Sequence, residues 1–187
     1  THDVEVFNFI LDDTIENLGF EQQPLMVLYH CNFGYPLVSE TAKLYAPIKK
    51  VIPRDADASA DRGVEEYDIY QPPTPGYKEK VFFLELKADA KGNAKIALIN
   101  EAEGIGIYQT HNKNQLPKFT EWKMMGQSEY VLGLEPGTAV PNGRKWAREQ
   151  GELLFIEPSE IKTFNIEIGV LESKDEFEKV INEIKSF

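Results

Sequence analysis

The sequence predicts an all-β fold, an antiparallel sandwich with one amphipathic helix at its C-terminal end. Three observations predict it. Thirteen glycines and eleven prolines break up the chain, and the runs between them are short and rich in β-branched and aromatic residues, the pattern of many short strands. Segment Thr163–Val170 alternates strictly, with Phe164, Ile166, Ile168 and Val170 on one face and Asn165 and Glu167 on the other, as a half-buried strand of an antiparallel sheet does. Helical periodicity is convincing only at the end, where Phe177, Val180, Ile181 and Ile184 form one apolar stripe.

Taken in order, the expected strands are Val4–Ile10, Leu25–His30, Lys80–Lys87, Ala94–Asn100, Ile105–Thr110, Lys118–Lys123, Tyr130–Leu134, Glu152–Ile156 and Lys162–Leu171. Ala88–Asn93 reads as a hairpin connection in which Gly92 is free to take a positive φ. Arg54–Pro75 is the least regular stretch, acidic and then proline-rich, and reads as a long surface excursion with at most a short helix within Ala56–Tyr67. Ser173 with Glu176 three residues on makes a capping box for the C-terminal helix, which should dock on the outside of a sheet. The expected organisation is a sandwich over residues 1–171 and that helix over 172–187. At 187 residues the chain has the length of one domain rather than two.

The net charge of −11 argues against nucleic acid and against anionic membrane surfaces, both of which select basic patches. No apolar run approaches the roughly 18 residues of a membrane span, and no signal peptide is visible. A cytoplasmic location is expected. The single cysteine, Cys31, leaves no intrachain disulfide. Phosphate-loop, HExxH and Gly-x-Ser-x-Gly motifs are absent from the sequence, and His2, His30 and His111 have no metal-ligand spacing. The expectation is therefore acid–base chemistry without a metal or other cofactor.

Two side chains stand out for such chemistry. In Met26-Val27-Leu28-Tyr29-His30-Cys31-Asn32, period 2 puts Met26, Leu28, His30 and Asn32 on one strand face, with the polar pair at its end. Glu135 ends the apolar run Tyr130–Leu134. A carboxylate there is costly to bury unpaired and should titrate above its usual value of about 4.3. Each has a plainer reading, His30 as a satisfied core histidine and Glu135 as an edge carboxylate in water. Glu79 precedes a strong strand between two lysines, which by itself suggests a surface salt bridge. Trp122 offers a face on which a sugar can stack or, more commonly, a core ring. Arg144, after the Pro141–Gly143 turn, could meet ligand hydroxyls, hold Glu135 or form a structural ion pair. Arg144, Arg148 and Lys123 are the cations that could meet a phosphate.

The succession of Pro24–Leu37, Pro-Arg-Asp-Ala at 53–56, Glu-Lys-Val-Phe at 79–82, Leu-Pro-x-Phe-Thr-Glu-Trp-Lys-Met-Met-Gly at 116–126, Tyr-Val-Leu-Gly-Leu-Glu-Pro at 130–136, Gly-Arg at 143–144 and Gly151 resembles the aldose 1-epimerase (galactose mutarotase-like) superfamily, in its uncharacterised bacterial branch known only as a domain of unknown function. The resemblance runs to about Leu171. It implies a supersandwich with a sugar cleft across one sheet face. It implies His30 as the acid at the ring oxygen and Glu135 as the base at the anomeric hydroxyl. Asn32, Glu79, Trp122 and Arg144 are then the expected substrate contacts. Glu79 stands where mutarotases carry an aspartate. The family's N-terminal portion, which supplies an arginine and a further histidine, has no counterpart in the two dozen residues before Leu25, and His2 does not match that histidine. The implied partner is a monosaccharide or sugar derivative. The implied activity is anomer interconversion, with a non-catalytic carbohydrate-binding module as the alternative and a two-carboxylate glycosidase using Glu135 and Glu79 as a weaker third. Open sheet edges would favour pairing with a second copy.

Overall fold

The computed structural model of the protein describes residues 7–187. Its strands are β1 (Asn8–Glu16), β2 (Gln23–Leu25), β3 (Cys31–Phe33), β4 (Lys43–Tyr45), β5 (Ile48–Pro53), β6 (Lys80–Leu86), β7 (Asn93–Asn100), β8 (Ile105–Asn112), β9 (Lys118–Gly126), β10 (Glu129–Gly137), β11 (Leu154–Ile156) and β12 (Ile161–Leu171), with helices α1 (Ala56–Ser59), α2 (Gly143–Glu149) and α3 (Lys174–Lys185). One five-stranded antiparallel sheet runs β1-β12-β8-β7-β4 and a second runs β3-β10-β9-β6-β5, with β11 and β2 paired separately. Sequence alternation explains the layering. Ile96 and Leu98 of β7, Phe82 and Leu84 of β6, and Leu132 and Leu134 of β10 all turn inward to one buried core between the sheets, each worth about 1.5–3 kcal/mol of burial.

The expected helix is present. Ser173 caps α3 in a complete capping box with Glu176. Phe177, Val180 and Ile184 bury against Ala97, Ile99 and Leu171 on the outer face of the first sheet. The 88–93 connection is the expected turn: Asp89 Oδ1 accepts from the backbone N–H groups of Lys91 and Asn93 at 2.8 Å each, and Gly92 has φ +87°. Among the described residues no helix is long and apolar enough to cross a membrane.

Several details differ from the sequence reading, among them the unexpected helix α2 and strand β4. The first strand is Asn8–Glu16 rather than Val4–Ile10; the beginning of that expectation, and His2, lie outside the described residues. Segment Leu25–His30 is not one continuous strand. Leu25 ends β2, Leu28 makes a lone bridge to Gly137, and β3 begins only at Cys31. Strand β5, with two lysines in its six residues, lacks the apolar signature that the reading required. Finally, Arg54–Pro75 is the expected surface excursion, most of it exposed, but it is anchored to the sandwich at a few points. Tyr70 is 2% exposed, Tyr67 packs against the sandwich core, and Lys123 Nζ donates to the carbonyl oxygens of Glu66 and Ile69 at 3.1 and 2.7 Å.

Candidate active site

The second sheet has its inner face in the core, and its outer face lines a cavity. On β9, Phe119, Glu121, Lys123 and Met125 are buried on the inner side, while Thr120 and Trp122 point outward. β10 continues the outer face with Gly133 beside Trp122 and Glu135 beside Thr120. β6 adds Val81 beside Trp122.

His30 reaches this face by register. Leu28 bridges Gly137 and Cys31 pairs with Leu134, the same antiparallel offset, so His30 falls directly opposite Glu135. The ladder breaks there: Cys31 N–H turns back to the carbonyl of Tyr29, freeing His30 from the pleat. Its Nε2 lies 2.9 Å from Glu135 Oε1. Nδ1 lies 2.9 Å from Asn32 Oδ1. An amide oxygen accepts, so Asn32 places the neutral ring's proton on Nδ1 and leaves Nε2 facing the carboxylate. The ring also meets Trp122 edge-on at 5.3 Å between centroids.

Glu135 is 2% exposed. Its Oε1 has no aligned hydrogen-bond donor: the imidazole nitrogen is close, but the approach is an ion pair by distance rather than a directed bond. Burial pushes its carboxyl above the ordinary range, and the neighbouring His30 pulls partly the other way. Gly133 makes the placement possible, because a Cβ there would sit 2.4 Å from Glu135 Oε1.

Glu79 is half-exposed and fully engaged. Its Oε1 accepts from Arg54 Nη2 at 2.8 Å and its Oε2 from Trp122 Nε1 at 2.7 Å. The Arg54 guanidinium, then the indole N–H, hold its carboxyl below the ordinary range. Its salt bridge is thus with Arg54 rather than with the flanking lysines: Lys78 pairs with Asp57, and Lys80 Nζ donates to the Ala60 carbonyl. Asp55 holds Arg54 Nε at 2.7 Å through Oδ2 while its Oδ1 accepts from Ala58 N–H, capping α1.

His30, Arg54, Glu79, Thr120, Trp122 and Glu135, with Leu28, Val81 and Pro141, enclose a cavity of about 260 Å³. Of the residues singled out from sequence, the structure brings together His30, Glu135, Glu79 and Trp122. Asn32 supports His30 without lining the cavity. Arg144 lies exposed on α2, outside the cavity lining. Lys123 faces the opposite side of the sheet. Two polar lining residues were missed. Arg54 sat within a quoted motif but in the irregular stretch. Thr120 shares the outward period with Trp122, and its Oγ1 is buried without a partner. Among the described residues no group of three or more His, Cys, Asp or Glu side chains is placed to hold a metal ion.

A sandwich with this topology is the galactose mutarotase-like fold, and solved structures share it. The chain is similar to a candidate aldose 1-epimerase from Klebsiella pneumoniae at 28% identity and TM-score 0.90, over 96% of this chain and 47% of that one. It also superposes on a galactose mutarotase-like protein from Clostridium acetobutylicum (16% identity, TM-score 0.61, 88% of this chain and 52% of that one). A candidate aldose 1-epimerase from Escherichia coli shares the fold too (15%, 0.56, 89% and 57%). The chain spans about half the length of these proteins. Residues 1–170 match the model of a domain of unknown function, DUF4432, and the chain belongs to that family. No curated protein matches it.

Proposed function

We propose that the cavity binds an aldose and interconverts its anomers, with Glu135 as base and His30 as acid. The observation that carries this reading is the cross-strand pair itself: a buried carboxylate without an aligned donor and an imidazole 2.9 Å away, both opening on one cavity beside an indole. The similarity to a candidate aldose 1-epimerase supports it.

In the proposed reaction, Glu135 takes the proton of the anomeric hydroxyl. The C1–O5 bond breaks, its electron pair goes to O5, and O5 takes a proton from the His30 imidazolium. After rotation about C1–C2, O5 attacks the other face of the carbonyl and returns its proton to His30, while the new anomeric oxygen recovers one from Glu135. Nothing is consumed. The sugar must enter between the two side chains, so His30, with its side chain 46% exposed, swings outward while Asn32 keeps hold of Nδ1. Glu79 orients Trp122 beneath the sugar's C–H face through the indole N–H, and Thr120 Oγ1 meets a sugar hydroxyl.

Magnetisation-transfer NMR of α/β exchange tests the reading. Glu135→Gln should lower the exchange rate by roughly 10²–10⁴-fold; an unchanged rate would remove the mechanism. Sugar binding without turnover is the second reading. It is favoured by the direct contact of His30 with Glu135, which has to open before a sugar reaches both. Calorimetric binding with no accelerated exchange in the wild type would establish it instead.

A further inference from the structure

The cavity does not end at the His30–Glu135 pair. A second, larger cavity of about 560 Å³ adjoins it, lined by outward residues of β6 and β9 together with Leu84, Leu86 and Phe119 beside them, and Arg54 lines both. On β9 the first is built on Thr120 and Trp122 and the second on Lys118; on β6 the first is built on Val81 and the second on Phe83 and Glu85. Each step is two residues along the same strand and the same face, about 6.8 Å, on the scale of one pyranose ring. The far wall comes from the segment after β10, through Val140, Asn142 and the half-buried Trp146 of α2.

We propose that this second cavity is a subsite for a further neutral sugar unit, so that the preferred substrate is a reducing disaccharide or longer saccharide. This rests on the reading above, since it places the reducing-end ring at His30 and Glu135 and the next ring at Trp146. The chemistry of the walls selects the occupant. Trp146 and Phe83 supply aromatic surface for C–H faces, and Asn142, Lys118 and Glu152 supply polar atoms for hydroxyls. Glu152 Oε2 is buried without a partner, as a carboxylate placed to accept from a ligand hydroxyl is.

An anionic substituent is the competing occupant, and the cations of the wall speak against it. Arg54 is already held by Asp55 and Glu79. Lys118 is held by Glu152 at 2.8 Å, and Lys113 Nζ donates to the Leu86 carbonyl. Lys49 remains, exposed at the rim. With Glu85 and Glu152 in the same wall, the site offers little net positive charge to a phosphate or sulfate.

The experiment compares glucose and galactose with maltose, cellobiose, lactose and melibiose, measuring exchange kcat/KM on the wild type and calorimetric binding on Glu135→Gln. Disaccharides should exceed monosaccharides in both. Trp146→Ala should lower that preference by about tenfold, the upper end of what one aromatic contact contributes. Trp146→Phe should retain most of it, and Glu152→Gln should reduce it even where the alanine variant folds poorly. Equal kcat/KM for monosaccharides and disaccharides, unmoved by these substitutions, would overturn the subsite and leave the anomer chemistry standing. Tighter disaccharide binding that depends on Trp146, with no accelerated exchange for any sugar, would keep the subsite and remove the chemistry. Stronger binding of glucose 6-phosphate than of the disaccharides would assign the cavity to an anion and overturn the proposal. Failure of every sugar to bind or exchange would end both.

Discussion

Two buried glutamates lie on neighbouring strands of one sheet, and they face opposite ways. Glu135 of β10 pairs with Thr120, while Glu121 of β9 pairs with Leu134, one residue out of phase. Each is raised by burial. Glu121 is 0% exposed and sits on the core side with Lys123, and Tyr70 O–H donates weakly to its Oε1 at 3.4 Å. Glu135 is almost as buried, yet its one close partner is a half-exposed imidazole that shares a cavity with it. A raised carboxyl alone therefore does not mark an active site. What separates the two is the setting: each carboxyl keeps one buried oxygen without a partner, but Glu121 lies on the core side with Tyr70 and Lys123, whereas Glu135 lines a cavity with His30.

Four measurements can break or sharpen this contrast. The largest effect belongs to Glu135→Gln, where exchange should fall by roughly 10²–10⁴-fold while the midpoint of urea unfolding stays close to wild type. Glu121→Gln should reverse that pattern, leaving exchange within a few-fold of wild type; a comparable loss of exchange in both variants would dissolve the contrast. Next is Lys123→Met. It strips two loop carbonyls of their donor, so urea unfolding should show a loss of about 1–3 kcal/mol. Third is Gly133→Ala. Its methyl group would stand 2.4 Å from Glu135 Oε1 and push the carboxylate aside, and a displacement near 1 Å can cost as much as about 10²-fold. Exchange should fall by at least tenfold with KM changing less than kcat.

The smallest effect is the pH dependence of stability. Burial pushes Glu121 up to about 8 from 4.5, so the folded protein keeps a proton that the unfolded chain releases, and stability falls as pH rises through that window. His111, lowered from 6.5 to about 4 by burial and then by Lys113, works the other way, and its contribution grows as pH rises between those values. Lys123, lowered from 10.5 to about 8 by burial, adds stability only as pH climbs from about 8 toward 10.5. Between about 6.5 and 8 the Glu121 term is therefore unopposed by these two. Wild-type stability should decline across that interval by chemical denaturation, and Glu121→Gln should flatten the decline.

The same contrast shows how far the sequence could be read. The strand alternation, the hairpin at Gly92 and the capping box at Ser173 are local signals, and the structure carries them with small shifts at the ends. His30 and Glu135 were legible because each closes an apolar run with a polar group, which burial makes conspicuous. The period of β9 was equally legible, but not its orientation. Phe119, Glu121, Lys123 and Met125 share one face and Thr120 and Trp122 the other, and hydrophobicity alone would put the tryptophan inside. Lys123 faces inward because two carbonyls of the 54–75 stretch accept from it, Tyr70 O–H reaches Glu121 beside it, and those partners lie some fifty residues away in sequence. Arg54 was hidden for a related reason: it follows β5, a strand too lysine-rich to announce itself. Arg144 had a persuasive turn before it, but the turn leads into α2, which carries its side chain to solvent.

Asp55 holds a helix start with one oxygen and a cleft guanidinium with the other. That makes the first turn of α1 a hinge pin for the cavity wall. If the turn frays, the carboxylate loses its backbone anchor, the grip on Arg54 slackens, and the slack passes through Glu79 to the indole of Trp122. Events in a short surface helix can thus be felt at the floor on which a sugar would rest, with no motion of the sandwich.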